Sequence, residues 1–537
     1  MHVNSRFSYI PYKETGYFSR LVTDYLDKNA DIRPFFNYDW TFEGLEKAIS
    51  DRAHYPVNRA VLSDALRKQY SSLEIHPKVE ANLALLALEN TYTVCTAHQP
   101  NLLTGYLYFV YKILHAIKLA DELNATHTGK QFVPVYYMGS EDNDIEELGV
   151  FKFRGEKFVW DGDGQAGAVG RMSTAGLKTI LHQLFKLIGP PGADADKLMK
   201  IFTTAYFKHK TVGEATHYLV NELFGKYGLI VLNPDDAALK AQFIPVMEDE
   251  LLHQAANPII AKQINALSEH YKIQAHPREI NLFYLADQLR ERIEQKGDKW
   301  VVVNTTIEWT KDEMLAELHA HPERFSPNVM LRGLFQETIL PDVAFIGGGA
   351  EVAYWMQLNS LFAHYKVPFP VVYLRQSVMF IDAATQALQR QLALSEADIF
   401  MEEYELGREY INRNSTAAWK TDSEIEAISA IIDQLQAKAV AVDATLGPAA
   451  AAALTKMKYQ LSILEKKMLR AEKRKEGVMM ARIAKLKAKL FPGNSLQERV
   501  DNFSELYLEY GDSFFDAIVE GIQPFEPRFL VISPATL

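Results

Sequence analysis

The stretch Thr93-Val-Cys-Thr-Ala-His-Gln-Pro-Asn-Leu-Leu-Thr-Gly105 constrains the fold more than any other part of the chain. A short β-prone apolar run stops in a compact polar turn, and an apolar helical pattern opens directly behind it. That pattern runs from about Leu102 through Tyr108, Lys112 and Ile117 to Leu123. In a parallel α/β sheet such a junction joins a strand's carboxyl end to the free N–H groups of a helix, and ligands bind there. His98, Gln99, Asn101 and Thr104 in this turn carry side chains suited to phosphate or ribose oxygens.

The same alternation recurs. Strands are expected at 92–97, 132–138, 229–232, 299–303, 343–346 and 370–374, with helical spacing between them. Leu229-Ile-Val-Leu232 and Trp300-Val-Val-Val303 are continuous apolar runs, as in strands covered on both faces. The fold class is therefore α/β with a mainly parallel sheet. The gap between 138 and 229 far exceeds one crossover helix, so an insertion is expected at about 148–225. A second, helical insertion is expected at about 240–298. The core then spans 91–385, preceded by a mostly helical part, 1–90, that packs on it.

After about 385 the strand signals stop. Leu454, Met457, Leu461, Leu464, Met468, Ala471 and Val478 follow a 3/4 spacing, broken at Lys475. The seam slips by one residue and resumes at Met479, Ile483, Leu486 and Leu490. This predicts a long helix over about 450–490 within a coiled-coil region, 386–537, whose last segment returns to the core. The helix carries a strong excess of Lys and Arg over Glu. Its plain reading is a solvated face; its functional reading is a homodimerisation arm presenting cations to an acidic core or a phosphate.

Bulk properties exclude several classes. The net charge of −11 over 537 residues argues against nonspecific nucleic-acid binding. The one cysteine, Cys95, rules out an intrachain disulfide framework, suits a reducing cytoplasm, and sits in a strand signal as a small buried hydrophobe. No apolar leader and no run near the ~20 residues of a membrane span is present, so a cytoplasmic location without membrane contact is expected.

Four polar clusters fall at expected strand ends. The first is the opening turn. The second is Ser140-Glu-Asp-Asn-Asp-Ile-Glu-Glu147, with Ser140, Glu141, Asp142 and Asp144 as candidates. Acid at a helix N-terminus serves capping, but five carboxylates in eight residues exceed that need. The third is Ile346-Gly-Gly-Gly-Ala-Glu-Val-Ala-Tyr-Trp355, in which Gly347, Gly348 and Gly349 let backbone N–H groups approach a ligand. Glu351, Tyr354 and Trp355 follow. A tight turn that needs glycine only for its backbone angles is the competing reading. The fourth is Leu374-Arg-Gln-Ser377, where Arg375 either clamps an anion or forms a structural salt bridge, beside Ser377. Neither a zinc-type Cys/His spacing nor a G-x-S-x-G elbow occurs, and no metal ligand is assigned, although the acidic turn would suit a metal, an ammonium group or sugar hydroxyls.

Taken in order, these clusters resemble the bacillithiol-biosynthesis cysteine-adding family, BshC. The resemblance rests on Thr96-Ala-His-Gln-Pro-Asn-Leu-Leu-Thr-Gly-Tyr-Leu-Tyr108, Ser140-Glu-Asp-Asn-Asp144, Gly347-Gly-Gly-Ala-Glu-Val-Ala-Tyr-Trp355 and Leu374-Arg-Gln-Ser377. Leu229-Ile-Val-Leu-Asn-Pro-Asp-Asp236 and the late coiled coil also fit. It implies a Rossmann-like core similar to nucleotidyltransferases and class I aminoacyl-tRNA synthetases, with two insertions and a dimerising coiled coil. It implies a ligase joining cysteine to the amine of glucosamine-malate, through cysteine activated by ATP or another nucleotide. In that frame His98 and Asn101 hold a phosphate or transition-state oxygen, and Asp142 and Asp144 bind an ammonium group or the sugar. Glu351 acts as base or hydroxyl acceptor, and Arg375 pairs with a malate carboxylate or a phosphate. Competing readings are a synthetase-like ligase with another acceptor and a non-catalytic, nucleotide-binding coiled-coil adaptor.

Overall fold

Which apolar runs become core strands depends on what each run can cover on its two faces. The computed structural model describes residues 5–189, 192–414 and 420–535. Its chain divides into two units, Met1–Phe380 with Ser495–Leu537, and Ile381–Asn494. In chain order the strands are β1 (Ser5–Ile10), β2 (Thr91–His98), β3 (Gln131–Met138), β4 (Val150–Phe153), β5 (Glu156–Val159), β6 (Ile230–Leu232), β7 (Leu282–Ala286) and β8 (Leu289–Lys296). They continue with β9 (Lys299–Val302), β10 (Glu308–Trp309), β11 (Phe325–Pro327), β12 (Asp342–Gly347), β13 (Val371–Leu374), β14 (Val378–Phe380) and β15 (Phe529–Pro534).

The central sheet has the order β13-β12-β2-β3-β6, and every pair in it is parallel. β12 and β13 are buried at every position, and β2 at all but His98. This is the burial that the continuous apolar runs imply. Cys95 lies fully buried in β2, where burial pushes its thiol far up, away from the thiolate. From β2 the chain winds outward through β3 to β6, and from β12 it winds the other way to β13. The order thus reverses between β2 and β12, and the crevice outside their carboxyl ends is where such sheets bind ligands.

The expected strand at 299–303 belongs elsewhere. As β9 it lies in a separate antiparallel sheet of order β10-β9-β8-β7-β11. Trp300 and Val302 turn inward, and the Trp300 indole donates to the Leu251 carbonyl at 2.9 Å, whereas Lys299 is exposed. The run is covered on one face only. The stretch 240–298 is helical to Ser268, through Ile244–His253 and Ala256–Ser268, and then forms β7 and β8. The charged sequence of β8, Leu-Arg-Glu-Arg-Ile-Glu-Gln-Lys, hid that strand. The N-terminal part is also not wholly helical, since β1 pairs antiparallel with β15, and β14 pairs parallel with β15.

In the second unit the long helix runs over Gly447–Lys475 and Gly477–Leu490, interrupted at Glu476. The helix Asp422–Val442 packs along its first part within the same chain. Among the described residues no helix is long and apolar enough to cross a membrane, and no group of three or more His, Cys, Asp or Glu is placed to hold a metal ion.

Candidate active site

The turn after β2 is tighter than its helical spacing suggests. Leu103, Thr104 and Gly105 all have positive φ (51°, 68° and 64°), so the α-helix starts only at Leu107 and runs to Thr126. This strained path is held from two sides. Tyr206 accepts the Leu103 N–H through its hydroxyl at 2.8 Å, and the Asn502 amide donates to the carbonyls of Leu103 and Gly105. His98 and Gln99 stay partly exposed at this turn, while Asn101 and Thr104 are buried beneath it.

A cavity of about 390 Å³ opens at the switch between β2 and β12. Four chain segments expected to converge do so. The cavity is lined by His98 and Gln99 after β2, by Ser140, Glu141 and Asp142 after β3, by Gly348, Gly349, Glu351 and Tyr354 after β12, and by Arg375 after β13. Asn101, Thr104, Asp144, Gly347, Trp355 and Ser377 lie outside its lining. Asp144 caps the short helix Ile145–Leu148, accepting the Glu147 N–H at 3.3 Å. Trp355 packs among Phe345, Phe362 and Phe369. Ser377 donates to Glu498 at 3.2 Å.

His98 stands between the rings of Tyr108 and Phe109, each 5.3 Å away, with its Nε2 buried and without a protein partner. Burial, reinforced by the charges of Lys112 and Arg375, drives its pKa well below the usual histidine value. It is a neutral imidazole near pH 7, suited to hydrogen bonding. Gln99 donates to Asp142 at 3.1 Å. Ser140 donates to Asn233 at 2.6 Å. Glu141 pairs with buried Lys240 and accepts from Ser326 at 3.1 Å.

Glu351 is presented by the glycine turn. Its Oε2 accepts the Gly348 N–H at 2.8 Å and pairs with Lys112. Lys112 also donates to the Ala97 carbonyl at 2.9 Å, and burial lowers its pKa. Arg375 has its guanidinium forked onto Glu498, with contacts of 2.8 and 2.6 Å, which is the structural pairing weighed for it.

The sequence reading passed over Lys112, Arg290, Arg332 and Arg499, all of which line the cavity. Lys112 had a signal. It is the first cation in the otherwise apolar opening Leu-Tyr-Phe-Val-Tyr-Lys-Ile-Leu-His of its helix, where an unpaired charge would not be tolerated. The three arginines have no such local mark, because they come from β8, the helix Val329–Ile339 and the C-terminal segment.

Residues 6–376 match the family described as bacillithiol biosynthesis BshC, N-terminal Rossmann-like domain, and residues 378–534 match its C-terminal coiled-coil domain. The chain belongs to the BshC family. A relative from Flavobacterium johnsoniae named "Putative cysteine ligase BshC" is 40% identical over 98% of this chain and 99% of its own. Relatives of the same name from Flavobacterium psychrophilum and Cytophaga hutchinsonii are 39% and 36% identical. Each is matched over 98% of this chain, and over 99% and 96% of its own length respectively. The Rossmann-like core expected from the resemblance is thus shown. A solved structure described as "putative arginyl t-RNA synthetase" from Campylobacter jejuni aligns with 84% of this chain and 98% of its own, at 12% identity and a TM-score of 0.21, and carries no argument.

Proposed function

We propose that this chain is a ligase that joins the carboxyl carbon of cysteine, through an amide bond, to the amine of glucosamine-malate, completing bacillithiol. The observation that carries the reading is Glu351: a carboxylate held by Lys112 and the Gly348 N–H, facing a cavity at the switch of a Rossmann-like sheet. The names of the full-length relatives supply the cysteine ligase class.

Chemistry sets the roles. An amine is nucleophilic only when neutral, so a carboxylate at the attacking nitrogen must accept its proton. Glu351 takes that place. Its contacts with Lys112 and Gly348 orient it. His98, neutral and with a free Nε2, hydrogen-bonds an oxygen of the acyl group as charge develops there. Asp142, turned by Gln99, and Glu147 face the cysteine ammonium. A free carboxylate does not acylate an amine, so the cysteine must arrive activated; a bound nucleotide would supply that activation and its leaving group. The His98 Nε2, without a protein partner, and the Gly349 backbone at the cavity wall suit such an oxygen-rich group. The apolar residues Met457 and Leu464 on the long helix, and Ile431 and Leu435 on its neighbour, are exposed, which suits a homodimer through the coiled coil.

Thiol analysis of a deletion strain tests the reading. Loss of bacillithiol with accumulation of glucosamine-malate is expected. Unchanged bacillithiol sinks it, and a different accumulating amine redirects it to another acceptor.

A further inference from the structure

We infer that Arg332 is the carboxylate receptor of this cavity and takes the malate end of the acceptor; the inference rests on the function proposed above. Its basis is the state of charge of each arginine. Arg52 and Arg375 are buried, and each is matched by a carboxylate, Glu337 and Glu498. Arg332 is only partly buried and lines the cavity, yet among the described residues no carboxylate forms an ion pair with it. Neutral groups hold it instead. Nη1 donates to the Gln336 amide oxygen at 3.0 Å, and Nη2 to the Tyr354 hydroxyl at 2.7 Å. Its guanidinium carbon lies 5.5 Å from the centre of the Tyr137 ring and 5.7 Å from that of Phe345.

Such a clamp fixes the plane of the guanidinium without neutralising it. A guanidinium offers five N–H donors, and these two contacts leave others unused. An ordered guanidinium at a cavity wall, with no ion-paired carboxylate among the described residues, suits a bidentate oxyanion from a ligand. Glu351 acts on Arg332 electrostatically but is already bonded to Lys112 and Gly348. The place of the positive charge then selects the ligand end. In glucosamine-malate the amine and the malate stand on adjacent ring carbons. An acceptor whose amine meets Glu351 therefore carries its carboxylates toward the neighbouring wall, where Arg332 stands. The remaining cations suit this role less. Arg290 also forms no ion pair among the described residues, but two carboxylates, Asp142 and Glu141, act on it and would repel a malate dianion, and it already bonds Asn143 at 3.0 Å; Arg499 is exposed at the rim.

Titration calorimetry of the full chain with three probes tests the assignment: glucosamine-malate, the methyl glycoside of glucosamine, and ATP. For Arg332→Gln we expect glucosamine-malate affinity to fall by roughly 30-fold or more, with the methyl glycoside unchanged within about twofold. Arg332→Lys, which keeps the charge but not the fork, should fall between the wild type and Arg332→Gln, and it serves alone if Arg332→Gln does not fold. Unchanged glucosamine-malate binding, an equal loss for both sugars, or a loss confined to ATP overturns the assignment. A wild-type chain that binds no glucosamine-malate removes the function reading itself, and the assignment with it, an outcome visible before any variant is made.

Discussion

Arg375 and Glu498 stand 123 positions apart and meet in a buried fork, with Nη1 and Nη2 donating to the two carboxylate oxygens at 2.8 and 2.6 Å. The pair fastens the C-terminal segment to the end of β13, and a few residues on, Asn502 clamps the turn after β2. Breaking such a pair strands a buried charge. Glu498→Gln should lower unfolding stability by about 3–5 kcal/mol, whereas Arg375→Met combined with Glu498→Leu should recover much of that loss. Urea denaturation of the three proteins checks this, and a Glu498→Gln loss near zero would refute the structural role.

Gly105 has φ 64° and ψ −121°, a conformation essentially restricted to glycine, and an added Cβ would stand 2.8 Å from the Asn101 Cβ. Gly129, at φ 82°, has nothing within 4 Å. Gly105→Ala is expected to cost about 2 kcal/mol or more and Gly129→Ala about 1 kcal/mol. Equal midpoints in urea for the two variants would contradict the packing described for Asn101.

His98 is held neutral by burial and then by the positive charges near it. His98→Gln should reduce turnover by about 100-fold while leaving the shape of the rate profile between about pH 5.5 and 8 unchanged. If the wild type loses activity through a step near pH 6.5 that the variant lacks, His98 titrates in catalysis and its assigned role is wrong.

In the second unit, Lys487 donates to the carbonyls of Ile399 and Met401 at 2.8 Å each, and burial lowers its pKa from 10.5 to about 8. Below about 8 folded and unfolded chains both carry the charge, and the folded state bears the full cost of burying it. Between about 8 and 10.5 the unfolded chain binds more protons, so stability rises with pH. The melting temperature of the wild type relative to Lys487→Met should therefore rise across that window. A difference independent of pH would refute it.

Much of the site was legible because parallel sheets write their binding sites locally. Each of β2, β3, β12 and β13 ends in its polar cluster, and the switch between β2 and β12 brings the four together. What stayed hidden was set by partners distant in sequence. Trp300-Val-Val-Val303 has the composition of a core strand, but its neighbour is the charged β8, which places it in the antiparallel sheet. Nothing near Arg375 announces Glu498, and nothing near Arg332 announces that, among the described residues, no carboxylate forms an ion pair with it. Asp144 lies outside the cavity lining and caps the helix Ile145–Leu148, a placement that its acidic company does not announce.

We propose above that the cavity at the sheet's switch, with Glu351 as its base, attaches cysteine to glucosamine-malate. The most direct measurement of that step is bacillithiol, quantified by mass spectrometry in a deletion strain complemented with the wild type or with Glu351→Gln at matched protein levels. The wild type should restore bacillithiol, and Glu351→Gln should restore no more than about 1% of it, with glucosamine-malate accumulating. Full restoration by Glu351→Gln would show that Glu351 is not the base.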